Sequence, residues 1–86
     1  MRYLTSKKFE RQFSKLSKGV KERAIMRIEL FLKDPFVSLL NNNQLKGEWA
    51  NCRSINVTPD IRLVYEMVEE NVAYFVAIGS HAELYR

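Results

Sequence analysis

The sequence predicts an α+β fold in which an amino-terminal pair of helices packs on one face of a small, mainly antiparallel β-sheet. Up to about residue 34, apolar residues recur every three or four positions, as they do on one face of an amphipathic helix. After Gly47 they alternate with polar residues, and β-branched and aromatic side chains become frequent, which is typical of strands. The 86 residues contain no linker or internal repeat, so we expect a single domain over residues 1–86.

The helical half follows a short predicted strand, Arg2 to Leu4, which could pair at one side of the sheet. The first helix is predicted over Ser6 to Leu16, because apolar residues there have spacings of four and three and basic residues occupy the other side. Ser17 is a favourable N-cap for the second helix. We expect that helix to end at Asp34-Pro35, because proline disfavours a helical conformation in the residue before it. The two helices should then be antiparallel and joined by a tight turn.

The second half contains the predicted strands. The segment Ser38 to Lys46 is rich in asparagine and is predicted to form a short helix end and a loop. Strands are predicted over Cys52 to Val57, Ile61 to Val68 and Val72 to Gly79, and the turn Thr58-Pro59-Asp60 separates the first two. The third strand is almost entirely apolar, so we expect it to lie centrally and to be buried on both faces.

The charge of the chain is positive and unevenly distributed. Fourteen lysines and arginines against ten aspartates and glutamates give a formal net charge of +4. Residues 1–27 alone hold nine basic and two acidic side chains. This balance favours a polyanionic partner, although a solvated helical face that keeps a small protein soluble would show the same pattern.

Other features exclude several classes of protein. The longest apolar run, Val72 to Ile78, is far shorter than the roughly 20 residues that a membrane span needs. The amino terminus lacks the apolar region of a secretory signal. With Cys52 as the only cysteine, neither an intrachain disulfide nor a cysteine-based metal site can form. We therefore expect a cytoplasmic protein without a membrane contact.

Three polar residues are predicted at the ends of neighbouring strands: Asp60, Arg62 and His81, the only histidine. An imidazole has an unperturbed pKa of about 6.5, so it both takes and gives a proton near neutrality. RNA cleavage by a 2′-hydroxyl needs a base for that hydroxyl, an acid for the leaving 5′-oxygen and donors for the charge that builds on the phosphorane. These three residues fit that chemistry, which requires no metal.

Residues near the same strands fit RNA binding. Lys46 and Arg53 add positive charge for phosphates, and Trp49 and Tyr85 add flat surfaces for unstacked bases. Each also has a structural interpretation, as a solvated charge, as cover for a sheet edge or as a surface residue at a strand end. The residue types alone leave both interpretations open.

Three segments carry ordered motifs over about residues 40–86. Gln44–Trp49 contains Leu-x-Gly-x-Trp, Arg53–Tyr65 contains Pro-Asp-x-x-Leu-x-Tyr, and Ile78–Tyr85 contains Gly-Ser-His-x-x-Leu-Tyr. Together they resemble toxins of the RelE/ParE superfamily, and most closely its YafQ branch. The amino-terminal helices match only in pattern. The resemblance implies a compact RelE-like fold and a bacterial or archaeal type II toxin. Such a toxin would be an endoribonuclease that cuts messenger RNA in the ribosomal A site without a cofactor. A cognate antitoxin would hold it inactive and would provide its only contact with operator DNA.

The match to individual family residues is partial. His81 falls where the YafQ branch has its terminal catalytic histidine, Asp60 where it has an aspartate, and Tyr85 where it has an aromatic residue near the carboxyl end. Asn43 and Asn56 stand where YafQ-like toxins typically have two more histidines, and an asparagine can neither donate nor accept a proton in their place.

Arg62, in the Arg-Leu-Val-Tyr strand, instead resembles the RelE branch, whose toxins have an arginine in this strand. We therefore hypothesise that His81 is the general acid or base, with Asp60 or Tyr85 as its counterpart. Arg62 would bind the phosphate together with Lys46 or Arg53.

Two further functions are compatible with the same resemblance. One is a ParE-like toxin that inhibits DNA gyrase by binding it and has no nuclease activity, since one fold can carry both functions. The other is a degenerate toxin that has lost two histidines and only binds its antitoxin and, through it, DNA as a corepressor.

Overall fold

The computed structural model describes residues 1–85. Eight helices and strands follow one another, beginning with β1 and ending with α3. Their bounds are β1 Arg2–Thr5, α1 Lys7–Ser14, α2 Lys18–Lys33, β2 Asn43–Gln44, β3 Arg53–Asn56, β4 Ile61–Glu69, β5 Val72–Ser80 and α3 His81–Leu84. None of the helices in this part of the chain is long and apolar enough to cross a membrane.

The strands form one five-stranded sheet in the order β1-β5-β4-β3-β2. The β1–β5 pair is parallel and the other pairs are antiparallel, so the sheet is mainly antiparallel as predicted. The prediction that the last strand lies centrally was wrong in detail, because β4 holds the middle position. β5 is nevertheless an interior strand, because β1 pairs with its other side over residues 72–75.

Serine caps begin both long helices. The Ser6 hydroxyl accepts a hydrogen bond from the backbone N–H of Phe9 at 2.9 Å and donates one to the carbonyl of Val76 at 2.8 Å, which ties α1 to β5. Ser17 caps α2 as predicted, with a longer bond of 3.4 Å to the N–H of Val20. The first helix ends two residues earlier than predicted, at Ser14.

The main core lies between α1, α2 and one face of the sheet. Phe31 of α2 is fully buried, and its ring lies 4.6 Å from that of Tyr65 on β4. Leu63 and Phe75 belong to the same cluster, as do residues of both helices. The helical pair therefore packs on one face of the sheet, as the sequence predicts.

The opposite face, called the open face below, carries a smaller apolar cluster that the sequence did not predict. Val64, Ala77 and Leu84 are buried there together with Cys52. Leu84 belongs to α3, a single helical turn that starts directly after β5. The chain thus covers part of the open face with its own last residues.

The segment predicted as a helix end and a loop, Ser38 to Lys46, is more ordered than that. It forms a 3₁₀ turn at Ser38–Leu40 and then the edge strand β2. Asn41 between them has a φ of 47°, a left-handed conformation that asparagine tolerates better than most residues. This turn brings the backbone of Asn41 to the side of β3 and β4.

Candidate functional site

Strand register decides which polar residues share the open face. Asn56 pairs with Arg62 and Arg62 with Gly79 across three neighbouring strands. Side chains alternate between the faces of a strand, and Leu63 points into the helix-side core, so Arg62 points to the open face. Ser54, two residues before Asn56, lies on that face as well.

The guanidinium of Arg62 is held by four hydrogen bonds. Nε donates to the Ser54 hydroxyl at 2.9 Å, and Nη1 donates to Oδ1 of Asn56. Nη2 donates to the backbone carbonyls of Asn41 and Ser54, each at 3.2 Å. All of these acceptors are neutral, so none of these four hydrogen bonds places a negative charge beside Arg62.

Arg53 lies on the other side of the sheet. It pairs with Tyr65, whose ring is in the helix-side core, so the two arginines do not share a face. Its Nε donates to Oδ1 of Asn42 at 2.7 Å, and its guanidinium lies 5.1 Å from the ring of Phe36. The hypothesis that Arg62 binds the phosphate together with Lys46 or Arg53 thus has its two arginines on opposite faces of the sheet.

Asp60 and His81 lie next to each other's strands at the same end of the sheet, Asp60 directly before β4 and His81 directly after β5. Ile61 pairs with Ser80, so the residue before Ile61 and the residue after Ser80 both lie just beyond this pair. Asp60 is exposed, and its backbone N–H donates to the Thr58 hydroxyl at 3.2 Å. Arg62 pairs with Gly79 one step into the sheet, so Asp60, Arg62 and His81 gather at one sheet end.

His81 is the exposed first residue of α3, and Ser80 caps this turn. The Ser80 hydroxyl accepts from the N–H of Glu83 at 3.2 Å, while the Glu83 carboxylate accepts from the N–H of Ser80 at 2.8 Å. This reciprocal pair fixes the turn that carries the imidazole.

The imidazole of His81 contacts Tyr85, with ring centroids 4.8 Å apart. Both residues line an open depression of about 300 Å³ together with Ala82 and Glu83. The Tyr85 hydroxyl, however, is buried and has no hydrogen-bond partner among residues 1–85. In this conformation the Tyr85 ring supports His81, whereas its hydroxyl faces the protein interior.

The predicted base-stacking residue Trp49 is half-buried in the open-face cluster. Its ring meets the edge of Tyr85 at 6.2 Å, and the ammonium of Lys8 on α1 lies 5.6 Å from its centroid. Lys46 precedes the 3₁₀ turn Gly47–Trp49, and its carbonyl accepts from the Trp49 N–H at 3.2 Å. Trp49 thus packs this turn against Lys8 of α1 and against Tyr85, the residue after α3.

Asn43 and Asn56 both lie on the open face. Asn56 binds Arg62, whereas Asn43 on β2 pairs with Ser54 and is exposed. Among residues 1–85, no group of three or more histidine, cysteine, aspartate or glutamate side chains is placed to hold a metal ion. Burial, and secondarily the charge of Glu66, raises the pKa of the Cys52 thiol above its ordinary value.

Comparison with known proteins places this chain in a family. A family described as "Bacterial toxin of type II toxin-antitoxin system, YafQ" matches residues 1–86. The chain belongs to the YafQ family of type II toxins. This confirms the branch of the RelE/ParE superfamily that the motifs indicated.

Solved structures show the same fold as this YafQ-family toxin. The crystal structure of YafQ from E. coli strain BL21(DE3) superposes with a TM-score of 0.84 at 21% identity, over 100% of both chains. The toxin in the E. coli DinJ-YafQ complex has a TM-score of 0.80 at 20% identity, over 98% of this chain and 96% of that one. A YoeB/ParE toxin from Agrobacterium tumefaciens also reaches 0.80, at 19% identity over 94% and 99%. No curated protein sequence matches this YafQ-family chain.

Sequence reasoning missed several residues of the site of this YafQ-family toxin. Ser54 and the carbonyl of Asn41 bind Arg62 but belong to no motif. The role of Glu83 was only weakly indicated by the sequence, in which a serine followed three residues later by glutamate is the pattern of a capping box. Nothing in the sequence indicated the role of Lys8, because it lies forty-one positions before Trp49, the residue it contacts.

Proposed function

We propose that this toxin is a ribosome-dependent endoribonuclease that cleaves messenger RNA without a metal, by attack of a 2′-hydroxyl on the adjacent phosphate. The observation that carries the proposal is the oriented guanidinium of Arg62, whose hydrogen-bond acceptors among residues 1–85 are all neutral, at the sheet end where His81 and Asp60 also lie. A phosphate that contacts this guanidinium would present its ester bonds to that sheet end.

Each residue then has a chemical role. Arg62 stabilises the charge that builds on the non-bridging oxygens. His81 transfers one of the two protons, to the leaving 5′-oxygen or from the 2′-hydroxyl, and exposed Asp60 serves the other transfer. Tyr85 orients the imidazole through ring contact rather than through its buried hydroxyl. Lys46, beside the turn that carries Trp49, attracts the flanking RNA backbone.

Primer extension on a defined messenger RNA, with and without assembled ribosomes, tests this proposal. The wild type, His81→Ala and, as a matched control, Glu70→Ala in the β4–β5 turn should be compared. We expect ribosome-dependent cuts that fall at least 100-fold in rate with His81→Ala, which is the usual size of a lost proton-transfer group, and that persist with Glu70→Ala. Cuts that survive His81→Ala would move the chemistry to Arg62 and Asp60.

The absence of cleavage by the wild type would favour one of the two other functions. One fold can carry both a nuclease and a gyrase-inhibitor function, so the fold alone does not separate them. A supercoiling assay with purified gyrase identifies the inhibitor. Expression of the toxin alone identifies a degenerate corepressor, which would cause no growth arrest.

We also propose that a cognate antitoxin binds and inhibits this chain, and that operator DNA is contacted only through that partner. E. coli YafQ forms a complex with DinJ. The nine basic and two acidic side chains of residues 1–27 here favour a partner with an acidic segment that folds on binding. Co-purification with such a partner should abolish ribosome-dependent cleavage and restore growth.

A further inference from the structure

We propose that Asn56 is a positioning residue for Arg62, and that Asn41, Ser54 and Asn56 form a neutral cradle that keeps the guanidinium both fixed and fully charged. This inference deepens the proposed ribonuclease function and rests on it. It assigns a role to an asparagine that otherwise looks like the loss of a catalytic histidine. Asn56 then needs no proton of its own, because it acts through Arg62.

The acceptors around Arg62 follow from the pairing of β3 with β4. Asn56 is the direct cross-strand partner of Arg62, and Ser54 lies diagonally on the same face. Their side chains hold Nη1 and Nε, while the carbonyls of Asn41 and Ser54 hold Nη2. All three guanidinium nitrogens are therefore oriented before any ligand arrives, which lowers the ordering cost of binding.

The hydrogen bonds of Arg62 leave its positive charge available to a phosphate. A guanidinium has five N–H groups, and Nη1 has one partner, so its second N–H has no acceptor among residues 1–85. Every acceptor here is a hydroxyl, an amide or a carbonyl oxygen, and none is a carboxylate. An aspartate at position 56 would keep the hydrogen bond but would neutralise the charge that a phosphate is meant to meet.

A residue of α2 on the other side of the sheet binds the backbone that forms the cradle. Arg27 of α2 donates through Nη1 to the carbonyl of Leu39 at 3.0 Å and to that of Asn56 at 3.4 Å. The turn that contains Asn41 and the end of β3 are therefore tied to the same helix. Asn41 itself adopts a positive φ of 47°, and its carbonyl is one of the Nη2 acceptors.

Four variants test the proposal in a single-turnover cleavage assay on programmed ribosomes: Asn56→Asp, Asn56→Ala, Asn56→His and Asn71→Asp. Asn71 is exposed at the opposite end of the β4–β5 hairpin, so its aspartate adds the same charge beyond the reach of Arg62. We expect the cleavage rate to fall about 100-fold with Asn56→Asp and about 10-fold with Asn56→Ala. The rate should stay within twofold with Asn71→Asp. Asn56→His should also fall, because an imidazole at this position displaces the amide acceptor.

Two results would overturn the proposal. A faster reaction with Asn56→His would mean that position 56 lacks a proton-transfer group. An equal effect of Asn56→Asp and Asn71→Asp would mean that only overall charge matters.

A spectroscopic arm separates this inference from the ribonuclease proposal. In the free wild-type protein, the Arg62 Nε–H should give a resolved NMR signal protected from solvent exchange, and Ser54→Ala and Asn56→Ala should each speed that exchange about tenfold or more. Binding of a ten-nucleotide single-stranded RNA should weaken with Asn56→Asp and not with Asn71→Asp. If the wild type does not cleave RNA, these two measurements still decide the cradle: unchanged exchange together with unchanged RNA affinity refutes it.

Discussion

At the scale of single residues, the neighbouring asparagines Asn42 and Asn43 should contribute very differently to stability. Asn42 is the structural one, because its Nδ2 donates to the buried Tyr65 hydroxyl at 2.7 Å and its Oδ1 accepts from Arg53. Asn42→Ala should lower the free energy of unfolding by about 1–3 kcal/mol, since it leaves a buried hydroxyl and a guanidinium nitrogen without partners. Asn43→Ala, at an exposed position, should change it by less than about 0.5 kcal/mol. Urea denaturation of both variants measures the contrast, and equal effects would contradict it.

Cys52 gives the molecule a predictable dependence on alkaline pH. In the folded state, burial and secondarily the charge of Glu66 raise the pKa of its thiol above the ordinary value of 9.0. The thiol of the unfolded chain therefore loses its proton at a lower pH than the thiol of the folded chain. The stabilising contribution is complete below the unfolded pKa and is lost as pH rises toward the folded pKa. The stability advantage of the wild type over Cys52→Ala should therefore shrink between pH 8 and pH 10, as measured by denaturation at each pH. An advantage that is constant over this range would show that the thiol titrates alike in both states.

The face of the sheet on which Arg53 lies could not be predicted from the sequence, because it depends on strand register. Both arginines alternate with apolar residues on neighbouring strands, and the sequence does not show which pairs lie opposite. The turn Thr58-Pro59-Asp60 sets a pairing in which Asn56 meets Arg62, so Arg53 falls on the other face. A slip of one residue would exchange the faces of the whole strand. The gathering of Asp60, Arg62 and His81 was predictable because strand ends depend less on register.

At the scale of elements, the two serine caps should contribute unequally. The Ser6 hydroxyl makes a cap bond of 2.9 Å and a second bond to the Val76 carbonyl, whereas Ser17 makes only an exposed cap bond of 3.4 Å. Ser6→Ala should therefore cost about 2 kcal/mol and Ser17→Ala about 0.5 kcal/mol. Thermal denaturation of the two variants provides the comparison. A larger loss with Ser17→Ala would mean that propensity, rather than the tie to β5, sets the stability of these helices.

Elements that were missed are those whose stability comes from tertiary contacts. α3 is one helical turn, too short to form from propensity alone, and exists because Ser80 caps it and Leu84 is buried on the open face. The edge strand β2 is equally short and depends on pairing with β3. The long helices and β3 to β5, by contrast, carry their own periodicity. The sequence therefore predicts the core elements but not the turn that carries His81.

At the scale of the whole molecule, the net charge of +4 should make RNA affinity strongly dependent on salt. Binding to single strands releases about 0.7 counterions per neutralised phosphate, so each lost contact lowers the log–log slope by about 0.7. Arg62→Gln should reduce the slope by this amount. Arg2→Gln, on the exposed edge strand β1 at the other end of β5, removes the same charge and should leave it unchanged. Fluorescence anisotropy with a single-stranded RNA at several potassium chloride concentrations measures both slopes. Equal losses for the two variants would indicate a diffuse field rather than a contact at Arg62.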